Sequence, residues 1–369
     1  MALSVVVSGF ISGFIGGIPP EVWGLIAACC ESCQTQAQLR ATSRGLQAIL
    51  DIPGIWRTTR ADVGHALIQL AGQGLLDPIQ WLVTTFAIPS NDSSSEDNDV
   101  LLRALRVACT KGRLSTAQWL SHEFDLMADY TRVNAKWALN AACSNSHLGV
   151  SQWIAETFRL TAKDARAYDN WALREACMDG HLEMVEWLVQ TFELTAKDAR
   201  AKDNHALRMA CALGYLEVAQ WLTHKFRLTA EDARSNDNHA LHLVCANGHL
   251  QVARWLTHEF GLTAKDARSY NNYALHLACS NGHLEIAQWL AHTFALTAED
   301  ARTSDNEALH YACVNGHLEV AQWLVQTFAL TAEDAHSSDN WALNRACASG
   351  HFQVAQWLEQ MFNITELER

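Results

Sequence analysis

Eleven cysteines, 17 histidines and 14 tryptophans carry most of the chemistry available to this 369-residue chain. Cys30 and Cys33 have the spacing of a redox dithiol or of half a zinc site. Neither a second Cys pair nor spaced histidines follow to complete four ligands. Eight other cysteines (Cys109, Cys143, Cys177, Cys211, Cys245, Cys279, Cys313 and Cys347) recur every 34 residues. Packed helices sit roughly 8–10 Å apart, whereas a disulfide needs Cα atoms within about 7 Å. These thiols therefore read as buried and unpaired, the state of a reducing compartment. His181, His249, His283, His317 and His351 each follow a glycine, a position suited to satisfying turn backbone groups rather than holding a metal. The sequence has no Gly-rich phosphate loop, His-Glu-x-x-His or Gly-x-Ser-x-Gly, and its carboxylates recur with the same period as the cysteines. No catalytic residue, metal site or cofactor is expected.

The elements that carry these residues are repeats. A Trp followed by Leu or Ile stands at Trp81, Trp119, Trp153, Trp187, Trp221, Trp255, Trp289, Trp323 and Trp357. After the first the step is 34 residues, and the longer first step fits a polar loop insertion at 90–99. In the type unit, Leu309, Ala312 and Cys313 form one helical stripe. Gly316 supplies a left-handed helix end. Leu318, Ala321 and Leu324, widened by Val320 and Trp323, form a second stripe. A Phe five residues after each Trp (Phe328 here) makes an aromatic pair. Thr and Asp three apart, as in Thr331 and Asp334, approximate a capping box that opens a further helical turn. Helices this short must stack on their neighbours to be stable, which predicts a solenoid.

The run Tyr273-Ala274-Leu275-His276-Leu277-Ala278-Cys279-Ser280-Asn281-Gly282-His283-Leu284-Glu285-Ile286-Ala287 resembles the ankyrin pattern Thr-Pro-Leu-His-x-Ala-Ala-x-x-Gly-His-x-x-Val-Val. Two departures stand out: the Thr-Pro is replaced by a variable residue plus Ala, and the inter-repeat loop is one residue longer and reads as helical. The β-hairpin fingers of that family are therefore not expected. The fold class is all-α: an ankyrin-like solenoid of about nine 34-residue units over 61–369, preceded by a small helical domain.

Residues 1–17 form an apolar leader arm without the basic start or cleavage site of a signal peptide. In 18–60, Ile18-Pro19-Pro20-Glu21-Val22-Trp23 is followed by Leu39-Arg40-Ala41-Thr42-Ser43-Arg44 and by Trp56. This order of landmarks resembles an F-box. The resemblance implies docking on the Skp-type adaptor of a cullin-RING ubiquitin ligase through Ile18, Pro19, Val22, Leu25, Ile26, Leu39 and Thr42. A plain three-helix cap over the end of the solenoid is the competing reading.

With 27 Lys+Arg against 40 Asp+Glu, the net charge of −13 argues against nucleic acid and against a polybasic membrane contact, and favours a protein partner. Positions that stay constant between units should build the junctions, leaving variable exposed ones to carry specificity. Just before the constant Ala-Leu pair stand Trp171, His205, His239, Tyr273, Glu307 and Trp341. Just after it stand Arg174, Arg208, His242, His276 and His310, and Tyr270 lies in the loop. Trp, Tyr and Arg are enriched at binding hot spots, so these residues form the expected partner-binding face; the competing reading is that the bulky aromatics simply cover the groove between helix pairs. The expectation is a cytoplasmic adaptor, with the nucleus as the alternative compartment, monomeric outside its complex. It would be a ligase substrate receptor if 18–60 recruits the adaptor, and a binding scaffold or competitive blocker if it does not.

Overall fold

The computed structural model describes residues 60–85, 96–124 and 132–363. The leader, Cys30, Cys33 and the F-box-like positions Ile18 to Thr42 lie outside the described residues. The chain divides into two compact units between Asp164 and Ala165. Among the described residues every regular element is helical and no strand occurs. The described residues of the first unit form three helix pairs: Arg60–Gln73 with Leu76–Thr85, Glu96–Thr110 with Leu114–Glu123, and Arg132–Ser144 with Leu148–Thr157. The second contains six, from Ala167–Met178 with Leu182–Thr191 to Ala332–Ala348 with Phe352–Phe362. Part of the expected polar loop is helix, because Glu96 to Asp99 form a first turn.

Each repeat is built as its residue spacing dictates. In the unit of Thr303–Val314 and Leu318–Phe328, the side chains of Leu309, Ala312, Cys313, Ala321 and Leu324 are wholly buried. Small Ala and Cys let neighbouring first helices approach closely, and these helices pack on one another along the second unit. Cys109, Cys143, Cys177, Cys211, Cys245, Cys279 and Cys313 are buried free thiols, while Cys347 is half-buried. Burial pushes the Cys109 and Cys143 thiols up to about 12, so they stay protonated and inert. The Trp–Phe pairs meet edge to face, as in Trp289–Phe294 at 5.6 Å and 78°. Phe294 is buried, but its Trp partner is only half-buried, so the Trp seals the outer edge of a junction rather than filling the core.

The turn at Gly282 needs its glycine twice over. Gly282 has φ +78°, and a Cβ there would lie 2.6 Å from Nδ1 of His317 in the next repeat. The post-glycine histidines thus stack over the preceding unit's turn. One of them, His283, also donates Nε2 to Ala246 O at 2.9 Å. Where hairpin fingers would stand, a single helical turn occurs, such as Ala264–Ala267 or Ala298–Ala301. Its capping box is present: Asp266 Oδ2 accepts from the amide and the hydroxyl of Thr263, at 2.8 and 3.0 Å.

Candidate functional site

Between each helical turn and the first helix of its repeat, three successive non-glycine residues take left-handed backbone angles. These are Tyr168-Asp169-Asn170, Lys202-Asp203-Asn204, Asn236-Asp237-Asn238, Tyr270-Asn271-Asn272 and Ser304-Asp305-Asn306, with φ between 53° and 63°. Left-handed geometry costs an ordinary residue roughly 1–2 kcal/mol, and Asn and Asp tolerate it best. The second and third places are accordingly always Asp or Asn, and the Asn is buried. The first place is the variable one, and the turn throws its side chain outward: Tyr168 is 53% and Tyr270 71% exposed. Residues further along the first helix hold the turn. Arg174 donates Nε to Asp169 O at 2.9 Å and Nη2 to Tyr168 O at 3.2 Å, and Arg208 repeats the grip on Asp203 and Lys202.

The expected partner-binding residues of the second unit fall into two groups. Trp171, Tyr270 and Tyr273 are exposed, and Arg174, His205, His239, His276, Glu307 and Trp341 are half-buried. Arg208, His242 and His310 are buried, at 7%, 4% and 4% exposure, because the next repeat covers them. Arg208 donates Nη1 to His239 Nδ1 at 2.7 Å, and His242 Nε2 lies 3.0 Å from Ser269 Oγ. These three belong to the junctions and support the exposed residues rather than presenting a surface. Among the rest, ring contacts join side chains in two groups. Tyr168 meets Trp171 at 6.3 Å, and Tyr270 meets Tyr273 at 6.1 Å. Tyr273 meets His276, His276 meets Tyr311, and Tyr311 meets Trp341, at 5.6, 5.1 and 5.5 Å.

The histidines of this face and of the junction beneath it are held neutral. Burial, reinforced by Arg174 and Arg208, pushes His205 down to about 4. Burial and His239, opposed by Asp237, do the same for His242. Burial and then Arg208 lower His239. His239 Nδ1 faces donors from both Arg208 and Asn236, so it accepts and the ring proton sits on Nε2. Burial lowers His276 against the pull of Glu307. The histidines here are therefore neutral hydrogen-bonding groups near pH 7, set among aromatic rings with Arg174 and Glu307 as charged members, an arrangement suited to recognition rather than proton transfer.

The family model described as ankyrin repeats in three copies matches residues 207–300 and 292–366, and one for ankyrin repeats in many copies matches 173–223. Together they span just over half of the chain. The chain belongs to the ankyrin-repeat family. Its ankyrin repeats make it a scaffold for protein–protein interaction. No curated protein matches the chain. Among the described residues no helix is long and apolar enough to cross a membrane, and no cluster of His, Cys, Asp or Glu could hold a metal ion.

Two parts of this ankyrin face escape a reading of the sequence by residue type. Tyr311 joins the ring contacts from a place one residue beyond the positions compared, where the repeats also vary (Glu175, Met209, Leu243, Leu277, Tyr311, Arg345). The left-handed turn is signalled by the recurring Asp-Asn or Asn-Asn pair, which also suits the start of a helix.

Proposed function

We propose that this ankyrin-repeat protein is a substrate receptor. Residues 18–60 act as an F-box that docks a Skp-type adaptor of a cullin-RING ubiquitin ligase, and the repeat face holds a protein and presents it. The mechanism is positional and needs no catalytic group. The observation that carries the binding half is the division of labour along the repeats. Constant residues such as Leu275 and Cys279 are buried, whereas variable Trp171, Tyr270 and Tyr273 stand exposed on strained turns and helix starts. Strain held at repeated surface positions is typical of recognition sites, and aromatic residues there supply hot-spot area. The ligase half rests on the order of landmarks from Ile18 to Trp56. Unpaired buried thiols suit a cytoplasmic role.

The test is a pull-down of the purified protein against the Skp-type adaptor, beside a Val22→Asp, Ile26→Asp double variant whose circular dichroism is unchanged. Binding by the parent and loss in the variant is expected. Absence of binding by both would leave a scaffold or competitive blocker whose first segment only covers the stack.

A further inference from the structure

The row just before the constant Ala-Leu pair reads Trp137, Trp171, His205, His239, Tyr273, Glu307 and Trp341, and Glu307 is its only carboxylate. It stands between the aromatic residues of the two adjoining repeats. Its side chain is 41% exposed; Nδ1 of His276 lies 3.1 Å from Oε2, and His310 also feels its charge. Burial disfavours the charged form of His276, so this ring donates a hydrogen bond without cancelling the carboxylate charge. No Lys or Arg among the described residues pairs with Glu307. The His276 ring that holds it meets the rings of Tyr273 and Tyr311 at 5.6 and 5.1 Å, and Tyr311 meets Trp341 at 5.5 Å. The chain as a whole is acidic, at −13. A carboxylate with no cationic partner beside a cluster of aromatic rings is the chemistry that selects a cation, because charge and ring quadrupole attract the same group.

We propose that Glu307, with Tyr273 and Trp341 on either side, forms a slot for a Lys or Arg side chain on an extended segment of the protein partner. This rests on the protein-binding reading given above and names the chemistry of the segment bound. The competing role for Glu307 is to orient His276 alone. Glu307→Gln separates the two, since the amide oxygen still accepts from His276 while the charge is gone.

The experiment uses the full chain and peptides Ac-Ser-Gly-Ser-X-Ser-Gly-Ser-amide, with X as Arg, Lys, norleucine or Glu, followed by calorimetry and tryptophan fluorescence. The Arg and Lys peptides should bind and the norleucine and Glu peptides should not. Glu307→Gln and, separately, Trp341→Leu should weaken the Arg peptide about tenfold, with thermal unfolding of Glu307→Gln unchanged. Equal binding of the Glu or norleucine peptide, unaltered affinity in Glu307→Gln, or no binding of any peptide at millimolar concentration would overturn the slot. Proteins captured equally by the parent and by Glu307→Gln would remove the slot and leave the protein-binding face standing. Capture by neither would count against both.

Discussion

Arg268 reaches 32 residues forward to Asp300, with Nε 2.7 Å from Oδ1 and Nη2 2.9 Å from Oδ2. The same carboxylate accepts the amide and hydroxyl of Thr297. One Asp therefore caps its own helical turn and ties it to the repeat before. Arg166–Asp198, Arg200–Asp232, Arg234–Asp266 and Arg302–Asp334 repeat the arrangement, so the second unit carries a ladder of bidentate pairs along its helical turns. This ladder replaces the main-chain pairing that hairpin fingers would have supplied.

Breaking a rung should loosen a junction. Asp300→Ala removes a cap and leaves Arg268 half-buried without its anion, an expected loss of about 2–4 kcal/mol. Arg268→Met should cost less, because Thr297 still satisfies the carboxylate. Urea unfolding of both variants gives the comparison. Equal losses would mean that the cap contributes nothing beyond the ion pair.

Burial pushes the Asp300 carboxyl up, but Arg268 and Thr297 outweigh it and hold the group below its ordinary value. The stability from this pair is complete above the unfolded value of about 3.9 and is lost as pH falls through the lower folded one. His205 and His242, pushed down to about 4, act higher on the scale. The unfolded chain takes up their protons near pH 6.5 and the folded chain only near 4, so stability declines across that window as pH falls. For buried His242 the decline is roughly 3 kcal/mol. Denaturant midpoints between pH 7 and 4 should fall for the parent and fall less for His242→Gln. A parallel decline in the two would refute the assignment.

Gly282→Ala should be costly for two separable reasons, the φ of +78° and the collision with the His317 ring. A total of about 2–4 kcal/mol is expected. Adding His317→Ala should recover the steric part alone. The double-mutant cycle would show no coupling if the backbone angle were the whole cost.

The second helices end on a left-handed residue that is a glycine in one repeat, Gly261 at φ +57°, and Ala295 at φ +47° in the next. Ala295→Gly should therefore stabilise the chain by about 1 kcal/mol, read as a higher unfolding midpoint. A lower midpoint would show that the entropy gained by the unfolded chain exceeds the relieved strain.

The helix pairs, their glycine turns, the Trp–Phe contacts and the buried thiols were legible because each follows from spacing within one repeat. The Arg–Asp rungs were not, because the partner of Arg268 lies a repeat away and nothing local marks it. The recurring Asp-Ala-Arg, with His336 in the last unit, is the trace that it leaves. The left-handed turn was hidden because Asp-Asn serves equally well at a helix start. Variation alone also misjudged exposure. Arg208, His242 and His310 differ from repeat to repeat yet are buried, since the groove between helix pairs accepts several polar side chains once each finds a partner. Trp171, Tyr270 and Tyr273, at comparable positions, stand exposed.

The central claim is that the exposed row of the second unit is what a protein partner reads. The direct measurement replaces Tyr168, Trp171, Tyr270 and Tyr273 together by Ser, confirms an unchanged circular dichroism spectrum, and compares proteins captured by this variant and by the parent using quantitative mass spectrometry. A control replaces the exposed second-helix residues Glu217 and Gln251 by Ser. The account predicts that the row variant loses the partners that the parent and the control retain. Retention of those partners by the row variant would contradict it.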